Sequence, residues 1–123
     1  MATLNDRVLD NGLTVLDTEA NKIVITSQAA TTYTEANATY ALGNSTSLSI
    51  AAPTDRAAGG REVVVSAITD GSVTSTGTAS HYAIIDTINT RLLAVSTLAA
   101  GQVVTSGNTF TLTAITIGIP DPV

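Results

Sequence analysis

Ser80-His-Tyr-Ala-Ile-Ile-Asp86, Arg91-Leu-Leu-Ala-Val95, Gly101-Gln-Val-Val104, the turn Ser106-Gly-Asn108 and the run from Thr109 to Gly118 follow one another in the last third of the chain. Each apolar stretch is short, rich in β-branched residues and bounded by turn residues, which is the pattern of strands rather than helices. Upstream the same period of two recurs. Lys22 to Ser27 alternates around Ile23 and Ile25, and Leu48 and Ile50 alternate against Ser47 and Ser49. Glu62 to Thr69 carries apolar residues on both faces and reads as a central strand, with Asp70-Gly71 as a turn into Val73 to Thr78. Gly43-Asn44, Ala52-Pro53-Thr54-Asp55 and Gly59-Gly60 punctuate the rest. Strands separated by turn signals every eight to twelve residues or so predict an all-β fold, an antiparallel β-sandwich or jelly-roll-like barrel.

The first twenty residues differ. Leu9, Leu13 and Leu16 fall at i, i+4 and i+7, one apolar stripe on a helix, and Thr3 with Asp6 resembles a capping box. Gly12 weakens this helix by about 1 kcal/mol, and a rival reading breaks at Asn11-Gly12 into a hairpin. The helix is preferred because the stripe survives the glycine. The expected organisation is a helix or arm over residues 1–20, a β-sandwich over 21–118 and an extended arm over 119–123, where Pro120 and Pro122 cannot continue a ladder.

Composition narrows the function. The 123 residues hold no cysteine, so neither a disulfide framework nor a thiolate metal site is possible. Charged residues are 12% of the chain, whereas Thr and Ser make up about a quarter, so hydroxyls wet the surface in place of ions. A net charge of -5 with scattered Lys and Arg argues against nucleic acid. No apolar run approaches the roughly 18 residues that span a bilayer, and the N-terminus lacks the order of a signal peptide, so a protein made in the cytoplasm and not membrane-bound is expected.

Chemistry is sparse. His81 is the single histidine, and alternation places it and Asp86 on opposite faces of one strand. Neighbours along a strand are not expected to make the nucleophile–base contact of about 3 Å, so Ser80, His81 and Asp86 are not read as a triad. Asp6, Asp10, Asp17 and Glu19 lack the calcium-loop pattern and read as a solvated helix face. Gly43-Asn-Ser-Thr46 lacks the lysine of a phosphate loop, and Asn37-Ala-Thr39 and Asn44-Ser-Thr46 are chance glycosylation triplets in a Thr-rich chain. The expectation is therefore no enzyme, no cofactor and no metal. The candidate interface residues are Leu9, Leu13 and Leu16 on the stripe, Arg56 and Arg61 flanking a glycine-rich loop, and Pro120 and Pro122 in the tail. Asp55 with Arg56, and Arg61 with Glu62, are placed to pair across that loop or across a subunit boundary.

The order of these elements resembles small virion proteins of tailed bacteriophages. Asp6-Arg-Val-Leu-Asp-Asn-Gly-Leu-Thr-Val-Leu16 is similar to their short leading helix. Thr78 to Asp86, Arg91-Leu-Leu-Ala94, Leu98 and Val104-Thr-Ser-Gly-Asn-Thr-Phe110 are similar to their strand ending in Asp, turn, leucine-leucine strand and Gly-Asx turn into the last strand. The resemblance implies a head-decoration (cement) protein on the outer surface of the capsid, or alternatively a tail or fibre component. It further implies the major capsid protein or other virion proteins as partners, and a homo-oligomer, possible as a trimer. The virion would be its destination after synthesis in the host bacterial cytoplasm. A carbohydrate-binding β-sandwich module is the rival from another class, and the aromatic content of 3% counts against it because sugars are held by stacking rings.

Overall fold

The computed structural model describes residues 6–120, and side chains from Asp10 onward. The architecture matches the expected class: about 51% strand in antiparallel sheets, with one short helix at the N-terminal end. The described chain falls into two compact units.

The first unit combines the helix α1 (Asp6–Glu19) with strands β3 (Thr54–Asp55), β4 (Arg61–Val65) and β9 (Ile115–Ile119), numbered in chain order. The three strands form an antiparallel sheet in the order β3-β4-β9, so β4 is central, as its two-faced apolar pattern requires. α1 lies against β4 and β9. Its stripe is the reason: Leu13 and Leu16 are buried, as are Val63 and Val65 of β4. Gly12 permits the approach, since a Cβ there would stand 3.3 Å from Ile119 Cδ1. Ile50 adds a single bridge to Val65, and Ala51 N–H donates to the Val64 carbonyl.

The second unit holds a six-stranded antiparallel sheet in the order β7-β6-β1-β2-β5-β8. Its members are β1 (Lys22–Thr26), β2 (Ala41–Ser45), β5 (Ile68–Val73), β6 (Gly77–Asp86), β7 (Arg91–Val104) and β8 (Thr109–Leu112). Register sorts the apolar residues by face. Ile23 and Ile25 pair with Ile84 and Tyr82 on one side, Val24 with Ala83 on the other. The second side is closed by Ala30, Ala36, Tyr33 and Tyr40, which pack on Val24, Ala83 and Ile85. Two of these four, Tyr33 and Ala36, come from a helical turn ending in a π-helical segment, Glu35–Thr39, and Tyr40 caps its end. Thr32 starts that turn by accepting the Glu35 N–H at 3.1 Å, while Glu35 reaches back to the Thr31 N–H at 2.9 Å, a reciprocal cap of the capping-box kind.

Several expected elements differ. Glu62 to Thr69 is not one strand: Ser66-Ala67 separates β4 from β5, and the two belong to different sheets. Thr109 to Gly118 likewise divides at Thr113-Ala114 into β8 and β9. Asp70-Gly71 is not a turn but the middle of β5. A Cβ at Gly71 would lie 2.3 Å from Phe110 Cζ, so the glycine makes room for a ring on the adjacent strand. Val73 to Thr78 is interrupted where Thr74 and Ser75 N–H groups donate to the Leu42 carbonyl. The Gly59-Gly60 loop is a tight connection, with both glycines at positive φ (97° and 94°).

Candidate functional site

Arg61 is the most connected charged side chain of the first unit. Its Nε donates to Asp10 Oδ1 at 2.8 Å and its Nη1 to Asp55 Oδ1 at 2.7 Å, while Nη2 reaches the Pro53 carbonyl at 3.1 Å. Position explains the convergence: Arg61 opens β4 opposite Asp55 of β3, and α1 carries Asp10 above them. A planar guanidinium spreads five N–H donors over three nitrogens and so reaches acceptors set apart on different elements, whereas the three donors of an ammonium all sit on one nitrogen. Arg56, the other expected interface arginine, donates from Nη1 to the Gly59 carbonyl at 3.0 Å and through its N–H to Gly60. Its aliphatic stem fills the space beside Gly118, where a Cβ would meet Arg56 Cδ at 3.0 Å. Both arginines thus fasten their own loop.

The remaining expected residues are placed as follows. Leu13 and Leu16 are buried in the chain's own unit. Ile119 is still in β9, paired with Arg61, one residue beyond the expected end of the strand, and Pro120 is exposed outside it. The Leu9 side chain and Pro122 lie outside the described residues.

Ser80 and His81 correct one expectation. Ser80 Oγ lies 2.7 Å from His81 Nδ1, closer than neighbours on a regular strand allow. The cause is an irregularity in the β6–β7 pairing: Ala79 faces Gln102 and His81 faces Thr97, so a single residue, Ser80, opposes the four from Leu98 to Gly101. Ser80 has one hydroxyl proton, and its Oγ donates at 2.9 Å to the Ser27 carbonyl. The ring contact is then satisfied by a proton on Nδ1 donating to the hydroxyl, the reverse of a base activating a nucleophile. Asp86 takes no part in it.

Asp86 instead organises the β6–β7 turn. Its Oδ1 accepts the Ile88 and Asn89 N–H groups at 2.9 and 3.3 Å, and its Oδ2 accepts the Asn89 amide at 2.8 Å. The Asn89 side-chain bond, followed by the two backbone N–H groups and the charge of Arg91, holds its carboxyl below the ordinary carboxylate value against the opposing effect of burial. Asn21 clamps the same turn, accepting the Thr87 N–H at 3.0 Å and donating to Thr87 Oγ1 at 2.9 Å. Elsewhere Lys22 Nζ donates to Asn37 Oδ1, and Ser47 Oγ to Asp70 Oδ2, both at 2.9 Å. Bonds from the Thr31 side chain and backbone, and from Tyr40, lower the Glu35 carboxyl.

Among the described residues no three of His, Asp and Glu come together as metal ligands, and every buried side-chain N or O has a hydrogen-bond partner. No described helix is long and apolar enough to cross a membrane. No family model, curated protein or solved structure matches the chain.

Proposed function

We propose that this protein is a structural component of a bacteriophage virion, with the outer surface of the capsid as its place. One observation carries the reading: the polar side chains described above fasten turns, helix and strands of the chain itself, and none of the buried ones is left aimed at a ligand. Arg61, Asp86, Glu35 and Lys22 each close a local structure. A part repeated over a shell needs a body of this kind, because avidity among many copies lets each contact be weak. The hydroxyl-rich, lightly charged composition and the resemblance in element order support the same reading.

Add-back tests it. Particles assembled without the protein are incubated with purified chain, and bound protein is measured against input. Saturable binding to mature heads is expected, with greater resistance of the heads to heat. Binding confined to tails would move the protein to the alternative place, and no binding to any part of the particle would reject the reading.

A further inference from the structure

We propose that β7 is a self-association edge, pairing antiparallel with the β7 of a second copy of this chain about a two-fold axis near Val95 and Ser96. In the six-stranded sheet β7 is an outer strand whose backbone ladder is made with β6 alone; at its far end, outside Ala94–Thr97, Gln102 Nε2 donates to the Thr111 carbonyl of β8 at 3.2 Å. It runs for 14 residues, whereas the other outer strands, β8, β3 and β9, have 4, 2 and 5. Its sequence after Arg91, Leu-Leu-Ala-Val-Ser-Thr-Leu-Ala-Ala-Gly-Gln-Val-Val, contains no charge and no proline. Natural edges are usually blunted by such residues, and an edge without them is a template for another strand.

Irregularities near Leu93 and across Leu98–Gly101 protect the flanks, leaving Ala94–Thr97 as the regular stretch, opposite Ile84–His81. Two of the most exposed large apolar side chains among the described residues lie on either side of it: Ile88 and Val103, each 83% exposed. β6 serves as a ruler. Val103 stands opposite Thr78, about 15 Å from the level of Tyr82 and Ala83 at the strand rise of about 3.3 Å. Arg91 stands opposite Asp86 on the other side of that level, with Ile88 in the turn just beyond. The two apolar residues are thus nearly equidistant from Val95 and Ser96. A two-fold axis there brings Ile88 of one copy beside Val103 of the other, twice per dimer. That symmetry selects a second copy over a foreign strand, which would match only one end. No charge opposes a like charge in this register.

Sedimentation of the purified chain over a wide concentration range tests the pairing, without particles and therefore independently of the virion reading. A concentration-dependent dimer is expected. Ile88→Lys or Val103→Lys should each weaken it at least about tenfold, since each change acts twice on apolar contact, and Thr97→Lys should abolish it. Ile88→Lys combined with Val103→Glu should recover most of the loss, because each Lys then faces a Glu across the axis. Hydrogen exchange on the unaltered chain supplies a second readout: amides in Ala94–Thr97 should slow as concentration rises. A monomer at every concentration, a dimer indifferent to all three lysines, or a double variant as weak as the singles would overturn the proposal.

Discussion

Gly71→Ala is a sharp test of the packing. An alanine Cβ would sit 2.3, 2.4 and 2.6 Å from Phe110 Cζ, Cε1 and Cδ1, well inside contact distance. Phe110 is 3% exposed, so its ring cannot swing into solvent without losing its burial, and the strain must fall on the β5–β8 pairing. Overpacking of this kind costs about 1–3 kcal/mol. Alanine also relieves the entropic penalty of glycine in a strand, about 0.5–1 kcal/mol. The net expectation is a loss of about 1–2 kcal/mol. At about 2.1 cal/mol/K per residue, a chain of this length shifts by about 4 °C for each kcal/mol, so melting should fall by about 4–8 °C. Calorimetry of the single variant, of Phe110→Leu and of the double provides the assay. The double variant should lose at least about 1 kcal/mol less than the sum of the singles, because the smaller side chain vacates the space the methyl needs. Unchanged melting of Gly71→Ala, or strict additivity, would refute the claim that the glycine exists to seat the ring.

Arg61→Ala should cost about 1–2 kcal/mol by thermal melting, most of it from the half-buried Asp10 and Pro53 contacts, because the Asp55 carboxylate is 87% exposed and its pair contributes little. Arg61→Lys should recover only part of this, as an ammonium cannot span all three acceptors. Asp86 is held below its ordinary value of 3.8 in the folded protein, so the folded state takes up its proton less readily than the unfolded state. Its contribution is therefore present above about pH 3.8 and disappears as the pH falls through the folded value. Asp86→Asn should accordingly melt below the wild type at neutral pH, with the gap closing in acid. Thr90 is a β-branched residue at φ 53°, so Thr90→Asn, which tolerates that region, should raise melting by about 2–4 °C.

Much of the fold is legible in the sequence where alternation is regular. Ile23 and Ile25 mark β1, and the Leu13–Leu16 stripe marks a helix despite Gly12. The breaks are harder to read. Ser66-Ala67 and Thr113-Ala114 carry no proline or glycine, and the only local trace is a change of phase, from Val63 and Val65 to Ile68 and from Phe110 and Leu112 to Ile115 and Ile117, which two-faced apolar patterning conceals. Gly71 misleads because Asp-Gly is a turn signal unless something distant needs the space, and only the pairing of β5 with β8 shows that Phe110 does. The helical turn after Thr32 had a signal in Thr32 and Glu35, hidden among many threonines. At the candidate site the pairing of Asp55 with Arg61 across the loop was within reach of sequence reasoning. Asp10 was not, since 51 residues separate it from Arg61 and only the docking of α1 joins them. The Ser80–His81 contact was missed because an irregularity in pairing is set by the partner strand.

The central claim, a structural part on the outside of a virion head, is tested most directly by locating and counting the protein on purified native particles, by quantitative mass spectrometry together with density maps of the head. The account predicts density for the chain at repeated positions on the outer capsid surface, with a copy number that follows the shell lattice. Particles that carry none of it, while the protein remains in the infected cell, would contradict the account.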